Sequence, residues 1–396
     1  MSIPILRIKK GQDRRIKAGH PWIFSNEIDT AQTPLKQFSA GQEVLVESYD
    51  KTPIGIAYIN PHSLIAARIF SRDPKDRLNT DFLVHRIKAA LSLRERLFNH
   101  PFYRLVFSEA DGLPGLIVDR FDQHLVAQTN TAGMEHKQSE ISDALRTVLP
   151  NTESILLRND SNVRLQEGLE TYTKSLYDTP PDEVTLIENG VRFISPLWKG
   201  QKTGWFYDHR MNRARLKNYV KDKAVLDVFS YLGAFGVQAA VFGAKQVDCV
   251  EASKTACDYI HQNAALNQIE GKVNTICEDA FDALKALLHQ GKSYDVIILD
   301  PPAFVKKAKD HKEGLLAYQR INELAVKLLA SDGILVSCSC SMQVSMEDLI
   351  EMTKRIAYRT HSELQLVERG HQGPDHPIHI AVPETDYLKA LFLVKM

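Results

Sequence analysis

Short apolar runs separated by helix-length stretches dominate the second half of the chain. Residues 224–229 are apolar except for Asp227, too few for a helix and closed by a glycine-bearing turn, the pattern of a parallel strand buried on both faces. Gly233 and Gly236 lead from that turn into a helix. Comparable runs follow at 246–250, ending on Glu251, and at 273–277, ending on Glu278-Asp279-Ala280-Phe281. Two more occupy 294–299, ending on Asp300-Pro301-Pro302-Ala303-Phe304, and 333–337, ending on Cys338-Ser339-Cys340. Strands alternating with helices predict an α/β fold with a Rossmann-like parallel sheet. Each run delivers polar residues at its carboxyl end, where open sheets of this kind hold ligands.

The first half is patterned differently. Residues 43–48 alternate apolar and polar, 53–58 return through Gly55, and 64–70 give a further strand, with Gly41 and Pro61 as punctuation. This predicts a small β-barrel over residues 1–72. A polar, proline-broken stretch at 71–77 follows, then an amphipathic helix at 81–99 carrying Phe82, Ile87, Ala90, Leu91 and Leu97 on one face. Strands at 104–108, 116–119, 124–128, 155–158 and 167–171, with a helix at 140–149, make 73–185 an α+β middle domain. Pro180-Pro181-Asp182 marks the next boundary, and Asn189-Gly190 joins 184–187 to 191–195 as a β-hairpin at the head of the third domain, 186–396.

Composition narrows the classes of function. No run of about 18 apolar residues crosses a membrane, and the amino terminus lacks the apolar stretch of a secretory signal. The five cysteines all lie beyond residue 248, an odd number in no disulfide framework, which suits a reducing cytoplasm. The formal net charge of zero excludes a chain that is basic throughout. Locally the balance differs: Arg7, Lys9, Lys10, Arg14, Arg15 and Lys17 face only Asp13 before Gly19-His20-Pro21-Trp22. Cations beside an aromatic residue suit RNA phosphate contact with stacking by Trp22, against the plainer reading of a solvated strand. This first segment resembles a PUA domain, an RNA-binding module of RNA-modifying enzymes.

The strand ends suggest a nucleoside cofactor. Glu251 lies 24 residues after Asp227, the offset at which a carboxylate holds a ribose diol. Asp279, followed by Ala280 and Phe281, suits adenine, the carboxylate accepting from the exocyclic amine and the ring covering the base. Successive prolines stiffen the chain after Asp300. The segment 200–213 is dense in polar and glycine residues before a helix expected at 208–219. Its Lys202 and Arg210 could hold an amino-acid carboxylate, and Asp208 could equally be a helix cap. Arg158, Asn159 and Asp160 could touch RNA, although plain surface placement is the simpler reading.

The glycine turn, Glu251, Asp279 and Asp300-Pro-Pro, in this order, resemble the class I S-adenosylmethionine-dependent methyltransferases. With Gln201-Lys202-Thr203-Gly204, Asp208-x-Arg210, the PUA-like start and the α+β middle, the whole chain resembles the bacterial large-subunit ribosomal RNA cytosine-C5 methyltransferases that carry a PUA domain. That resemblance implies a seven-stranded sheet and S-adenosyl-L-methionine as cofactor, bound by Lys202, Thr203, Asp208, Arg210, Asp227, Phe229, Gly233, Gly236, Glu251, Asp279, Ala280 and Asp300. It also implies large-subunit ribosomal RNA, free or in an assembling particle, as partner.

Cytosine C5 is a poor nucleophile, so such an enzyme first adds a thiolate to C6. Cys338 and Cys340 stand where that thiolate is needed, and Cys338, straight off the strand, is the preferred candidate. Many RNA cytosine-C5 enzymes carry a second cysteine directly after a proline in the fourth-strand motif; here Ala303 follows Pro302, which implies a single catalytic cysteine and leaves the base for the C5 proton unassigned. Asp300 is expected against cytosine N3 and N4. His371, Asp375, His376 and His379 form a late polar loop that could reach the site, and no metal is expected there. The alternatives are a ribosomal RNA guanine-N methyltransferase, which needs no nucleophile, and a non-catalytic RNA-binding assembly protein. An adenine-N6 enzyme would want an aromatic residue where Ala303 stands.

Overall fold

The computed structural model describes residues 3–305 and 307–396. The chain divides into two compact units: one comprises residues 1–184, 196–207 and 374–385, the other 185–195, 208–373 and 386–396.

The first unit holds two five-stranded sheets. In one, the strands run in the order Ile5–Arg7, Gln42–Glu47, Pro53–Ile59, Ile65–Ser71, Trp22–Phe24. A bridge between Ile8 and Ile28 ties its two edges together, as a small barrel requires. Alternate residues point inward, so Leu6, Ile23, Val44, Val46, Ala67 and Ile69 form its core. The other sheet, with strands Phe102–Phe107, Leu116–Phe121, His124–Thr129, Ser154–Asn159 and Tyr172–Tyr177, is covered by helices Thr80–Leu97 and Gln138–Val148. Asn79 starts the first of these helices by accepting the Phe82 N–H at 3.0 Å.

Ile56, Tyr58 and Phe70 of the barrel sit in the same apolar cluster as Leu83, Ile87, Tyr103, Val118 and Leu145. That shared core is why residues 1–72 and the α+β segment form one unit. The strand expected at 167–171 lies instead at Tyr172–Tyr177, preceded by a helical turn at Val163–Gln166. Arg158 is neither exposed nor placed for RNA: it is buried, paired with Asp160, and donates to the carbonyls of Leu197 and Gly200, fastening the segment 196–207.

The second unit is built on a seven-stranded sheet. Its strands are β1 (Ala224–Val228), β2 (Gln246–Val250), β3 (Val273–Ile276), β4 (Tyr294–Leu299), β5 (Leu329–Ser339), β6 (Leu364–His371) and β7 (Lys389–Lys395). The order across the sheet is β3-β2-β1-β4-β5-β7-β6, and β7 runs antiparallel to both β5 and β6 while the other neighbours pair in parallel. Helices α1 (Ala234–Val241), α2 (Lys254–Leu266), α3 (Ala280–His289), α4 (His311–Leu328) and α5 (Met346–Thr360) connect the strands. The chain leaves β1 toward β2 on one side and later fills β4 on the other, which opens a crevice at the strands' carboxyl ends. The helix expected at 208–219 is short, Arg210–Arg215, flanked by 3-10 turns. In the hairpin of Glu183–Glu188 with Val191–Pro196, Asn189 and Gly190 both adopt left-handed backbone, as a two-residue hairpin turn demands.

Gly236 lets α1 lie directly on the strands. A Cβ there would stand 2.5 Å from Cys249 Sγ, 3.1 Å from Asp227 Oδ2 and 3.2 Å from Val247 Cγ1. The glycine is thus required by packing rather than by ligand access. Gly236→Ala should cost roughly 1–3 kcal/mol of stability through overpacking, read from denaturant unfolding, whereas Gly271→Ala, with nothing within 4 Å, should be nearly silent. Equal midpoints for the two variants would contradict this account of the helix.

Candidate cofactor and methyl-transfer site

Asp227, next to last in β1, has its carboxyl group sealed inside: it is 1% exposed, Oδ2 accepts the Gly236 N–H at 2.9 Å, and Oδ1 has no hydrogen-bond partner among the described residues. Burial pushes this carboxyl up to about 7; the Gly236 N–H and Ser230 oppose the rise, and the charges of Asp300 and Glu251 add to it. The turn that follows is strained. Phe229, Tyr231 and Gly233 all take left-handed backbone, with φ of 66°, 50° and 79°, and two of the three are not glycine. Glu251 holds that turn in place, accepting the Tyr231 N–H on Oε2 and the Ser253 N–H on Oε1, both at 2.9 Å.

These residues fit S-adenosylmethionine. Each Glu251 oxygen keeps a lone pair for a ribose hydroxyl. The orphaned Asp227 oxygen is a buried polar atom with no partner among the described residues, and Ser230 Oγ donates to the Asp227 main-chain carbonyl at 2.7 Å. Asp279 is the N-cap of α3, accepting from Phe281 N at 2.9 Å and Asp282 N at 3.4 Å through Oδ1, so it is both the expected acidic residue and a structural cap. Ala280 is buried behind it. Phe304, from the Asp-Pro-Pro-Ala-Phe motif, links Phe281 and Phe229 at ring distances of 6.5 and 6.4 Å, giving an aromatic surface of the kind adenine packs against.

Asp300, at the end of β4, is drawn to a residue that the motifs did not single out. His209 Nε2 lies 3.0 Å from Asp300 Oδ1, with the histidine buried and the carboxylate side chain 25% exposed. Asn212 Nδ2 stands 3.2 Å from His209 Nδ1, and Arg215 donates to Asn212 Oδ1 at 3.3 Å, which orients the amide. The Nδ1 atom therefore accepts and the Nε2–H donates to Asp300. The only sequence signal for His209 was its place between Asp208 and Arg210.

Cys338 and Cys340 flank Ser339, and their surroundings differ sharply. Cys338 is paired with Ala390 in the sheet, 1% exposed, and packed among Val225, Cys249, Ile298, Val336 and Phe392. Burial first, then the charges of Asp300 and the neighbouring groups, push its thiol well above the ordinary range. Cys338, Asp300 and His209 also place their polar atoms within 4.8 Å of one another. Cys340 is the first residue past β5 and is half-buried.

The block 200–210 is split between the units. Thr203 is buried in the first unit with its hydroxyl on Asp119, and Lys202 is exposed with its ammonium 4.4 Å from the Phe206 ring. In the second unit Asp208 accepts from the Tyr387 hydroxyl at 2.6 Å. Arg210 lies 3.6 Å from the buried Glu188, which Arg213 also grips at 2.5 and 2.9 Å, so its charge is already met by a protein carboxylate. The late loop behaves as packing: Asp375 accepts the Arg104 N–H, its carbonyl accepts from Arg94, and His376 lies against Phe107, all in the first unit.

Nor are the amino-terminal cations equivalent. Arg7 is buried on Glu47 and Arg15 is held by Glu27, so both are structural. Lys9, Lys10, Arg14 and Lys17 are exposed, Lys17 being paired with Asp13 at 2.5 Å, while Trp22 is half-buried and donates to Glu109 at 2.8 Å.

Fold and strand-end residues together define a class I methyltransferase with a PUA-like domain. Residues 163–394 match the S-adenosylmethionine-dependent methyltransferase family and residues 6–72 the PUA-like domain. The chain belongs to this methyltransferase family and uses S-adenosylmethionine. Among its relatives are proteins called Ribosomal RNA large subunit methyltransferase I, 35% identical over 98% of both chains in Shewanella frigidimarina and 36% identical over 96% of both in Vibrio vulnificus. A solved structure from Streptococcus mutans shares the fold, with a TM-score of 0.83 at 20% identity over 99% of this chain and 100% of that one. Another, SMU.776 in complex with SAH, matches with the same TM-score and identity over 100% of each chain.

Two outcomes follow from the cofactor pocket. Glu251→Ala should weaken S-adenosylhomocysteine binding by roughly 1.5–3 kcal/mol, measured by calorimetry; unchanged affinity would place the ribose elsewhere. Asp227 keeps a proton in the folded state up to a pH of about 7 that the unfolded chain releases near 3.9, so its contribution to stability falls as pH rises between those values and is level above. Asp227→Asn should therefore stabilise the protein more at pH 8 than at pH 4.5, and an identical pH profile for variant and parent would contradict the buried, proton-holding carboxyl.

Proposed function

We propose that this protein transfers the methyl group of S-adenosylmethionine to C5 of a cytosine in large-subunit ribosomal RNA, and that Cys340 forms the transient bond to C6. The observation that carries this reading is a half-buried cysteine directly past β5, on the same rim of the sheet as Asp300. The names of the relatives support the ribosomal target. Cys338, the candidate preferred from the sequence, lies within β5 and is 1% exposed, and burial pushes its thiol up, although its sulfur stands within 4.8 Å of the Asp300 and His209 polar atoms. A nucleophile must be reached by the base, which Cys340 allows.

S-adenosylmethionine supplies the electrophilic methyl when bound; the chain's residues do the rest. The Cys340 thiolate adds to cytosine C6, which places electron density on C5 for attack on the methyl carbon. Release of the C5 proton to solvent and departure of the thiolate then restore the ring, with S-adenosylhomocysteine as the other product. Asp300, aligned through Oδ1 by His209, has Oδ2 to accept from the cytosine N4 amine. The target base must leave its stack to arrive there, at a cost of a few kcal/mol, so an accessible or looped nucleotide is favoured. On the first unit, Lys9, Lys10, Arg14 and Lys17 supply phosphate contacts.

RNA carrying 5-fluorocytosine at the target has no C5 proton to lose, so the enzyme should remain covalently joined to it. Cys340→Ala should abolish this adduct on a denaturing gel, while Cys338→Ala should keep it and lose stability through the cavity left in the core. Adduct loss only in Cys338→Ala would reverse the assignment, and full methylation by the double variant would replace the mechanism with guanine-N transfer. Changing Lys9, Lys10, Arg14 and Lys17 together to Gln should lower RNA affinity and flatten its salt dependence, by about 0.7–0.9 in log–log slope for each phosphate no longer neutralised. A wild-type slope in that variant would remove the barrel's cations from RNA binding.

A further inference from the structure

The first residue of β7 stands where the active-site strand ends. Lys389 pairs with Ser339 of β5 on one side and with His371 of β6 on the other, so Cys340 is the residue immediately after its partner. Only 7% of Lys389 is exposed. Its ammonium reaches over the end of β5 and donates to the Ser341 carbonyl at 2.7 Å, the residue immediately after Cys340. Among the described residues no carboxylate comes within 4 Å of it, so a buried cation is left with a single neutral acceptor. A long charged side chain almost never sits in that state without a partner.

The segment it holds is fixed on its other side as well. Tyr318 of α4 bonds to Ser339 Oγ at 3.0 Å and to Ser341 Oγ at 2.9 Å, bracketing Cys340 as Lys389 does. Among the described residues the titratable and charged groups around this point are Lys389 itself, Tyr318, Cys338 with Asp300 behind it, His371 in register, Cys340, and Asp386 and Asp348, Asp386 acting on the ammonium most strongly. Burial lowers the Lys389 ammonium from its ordinary value, and Asp386, Cys340 and Asp348 pull it back. An anion beside it would relieve that burial.

On the reading of Cys340 as nucleophile, we propose that Lys389 is its activating and positioning residue: the buried ammonium stabilises the Cys340 thiolate and anchors the backbone that carries it. Proton release from the thiol to solvent then leaves an ion pair in place of an unmet cation, and no electron changes hands. A thiol beside a lysine ionises below the ordinary thiol value.

The test is the rate of iodoacetamide alkylation at Cys340, followed by peptide mass across pH 5–10 in the full-length protein. Wild type should show a midpoint below the ordinary thiol value of about 8.5. Lys389→Gln, which keeps a donor for the Ser341 carbonyl but removes the charge, and Lys389→Met should both raise the midpoint by about one unit or more, a roughly tenfold loss of thiolate near neutrality. Lys389→Arg should keep it low, and the basic shift should reappear in the pH profile of methyl transfer by Lys389→Gln. An unmoved midpoint in both neutral variants overturns the proposal. So does a wild-type midpoint at or above the ordinary value, which decides the matter even if the variants do not fold. Persistence of the 5-fluorocytosine adduct in Cys340→Ala would instead sink the nucleophile reading itself, whatever the midpoint.

Discussion

The second unit turns on one hydrogen bond, from the Gly236 N–H to the buried Asp227 carboxyl. It joins the first turn of α1 to the end of β1, and only glycine leaves room for it, because any Cβ would strike Cys249. The left-handed Phe229–Gly233 turn can persist because its ends are fixed by this contact and by Glu251. Ribose acceptor, orphaned Asp227 oxygen and aromatic surface are all consequences of how β1 ends. A carboxyl held near a pKa of about 7 in that position costs stability, and strained or costly groups of this kind gather at functional sites.

A second constraint is the twofold periodicity of a strand. Cys338 and Cys340 have the same parity, so sequence alone places them on one side of β5. The strand stops at Ser339, however, and that one boundary separates a core cysteine from a half-buried one. Lys389 enters through the same geometry: β7 runs antiparallel to β5, so its first residue arrives where β5 finishes. Parallel neighbours would have placed β7's other end there.

Much of this was legible in the residues. The buried strands, the helices between them and the carboxylates at the strand ends follow from apolar runs and from where those runs break, and β1 to β4 lie within a residue or so of their expected places. The seven-strand count required the family resemblance, since β6 is largely exposed and β7 reads as one more apolar run. What stayed hidden depends on contacts distant in sequence. Nothing local says that Arg7 meets Glu47 or Arg15 meets Glu27, so six cations read as one patch. Arg158 looked like surface because its partners, the carbonyls of Leu197 and Gly200, lie about forty residues on. The shared apolar cluster of Tyr58, Phe70 and Tyr103 likewise merges two segments that a polar linker appeared to part.

The protein's chemistry is defined by the atom that receives the methyl group. Incubating the purified protein with S-adenosylmethionine and unmodified large-subunit ribosomal RNA, then digesting to nucleosides for mass spectrometry, reads it directly. New 5-methylcytidine is expected, absent with Cys340→Ala. New N-methylguanosine without 5-methylcytidine would contradict cytosine-C5 transfer.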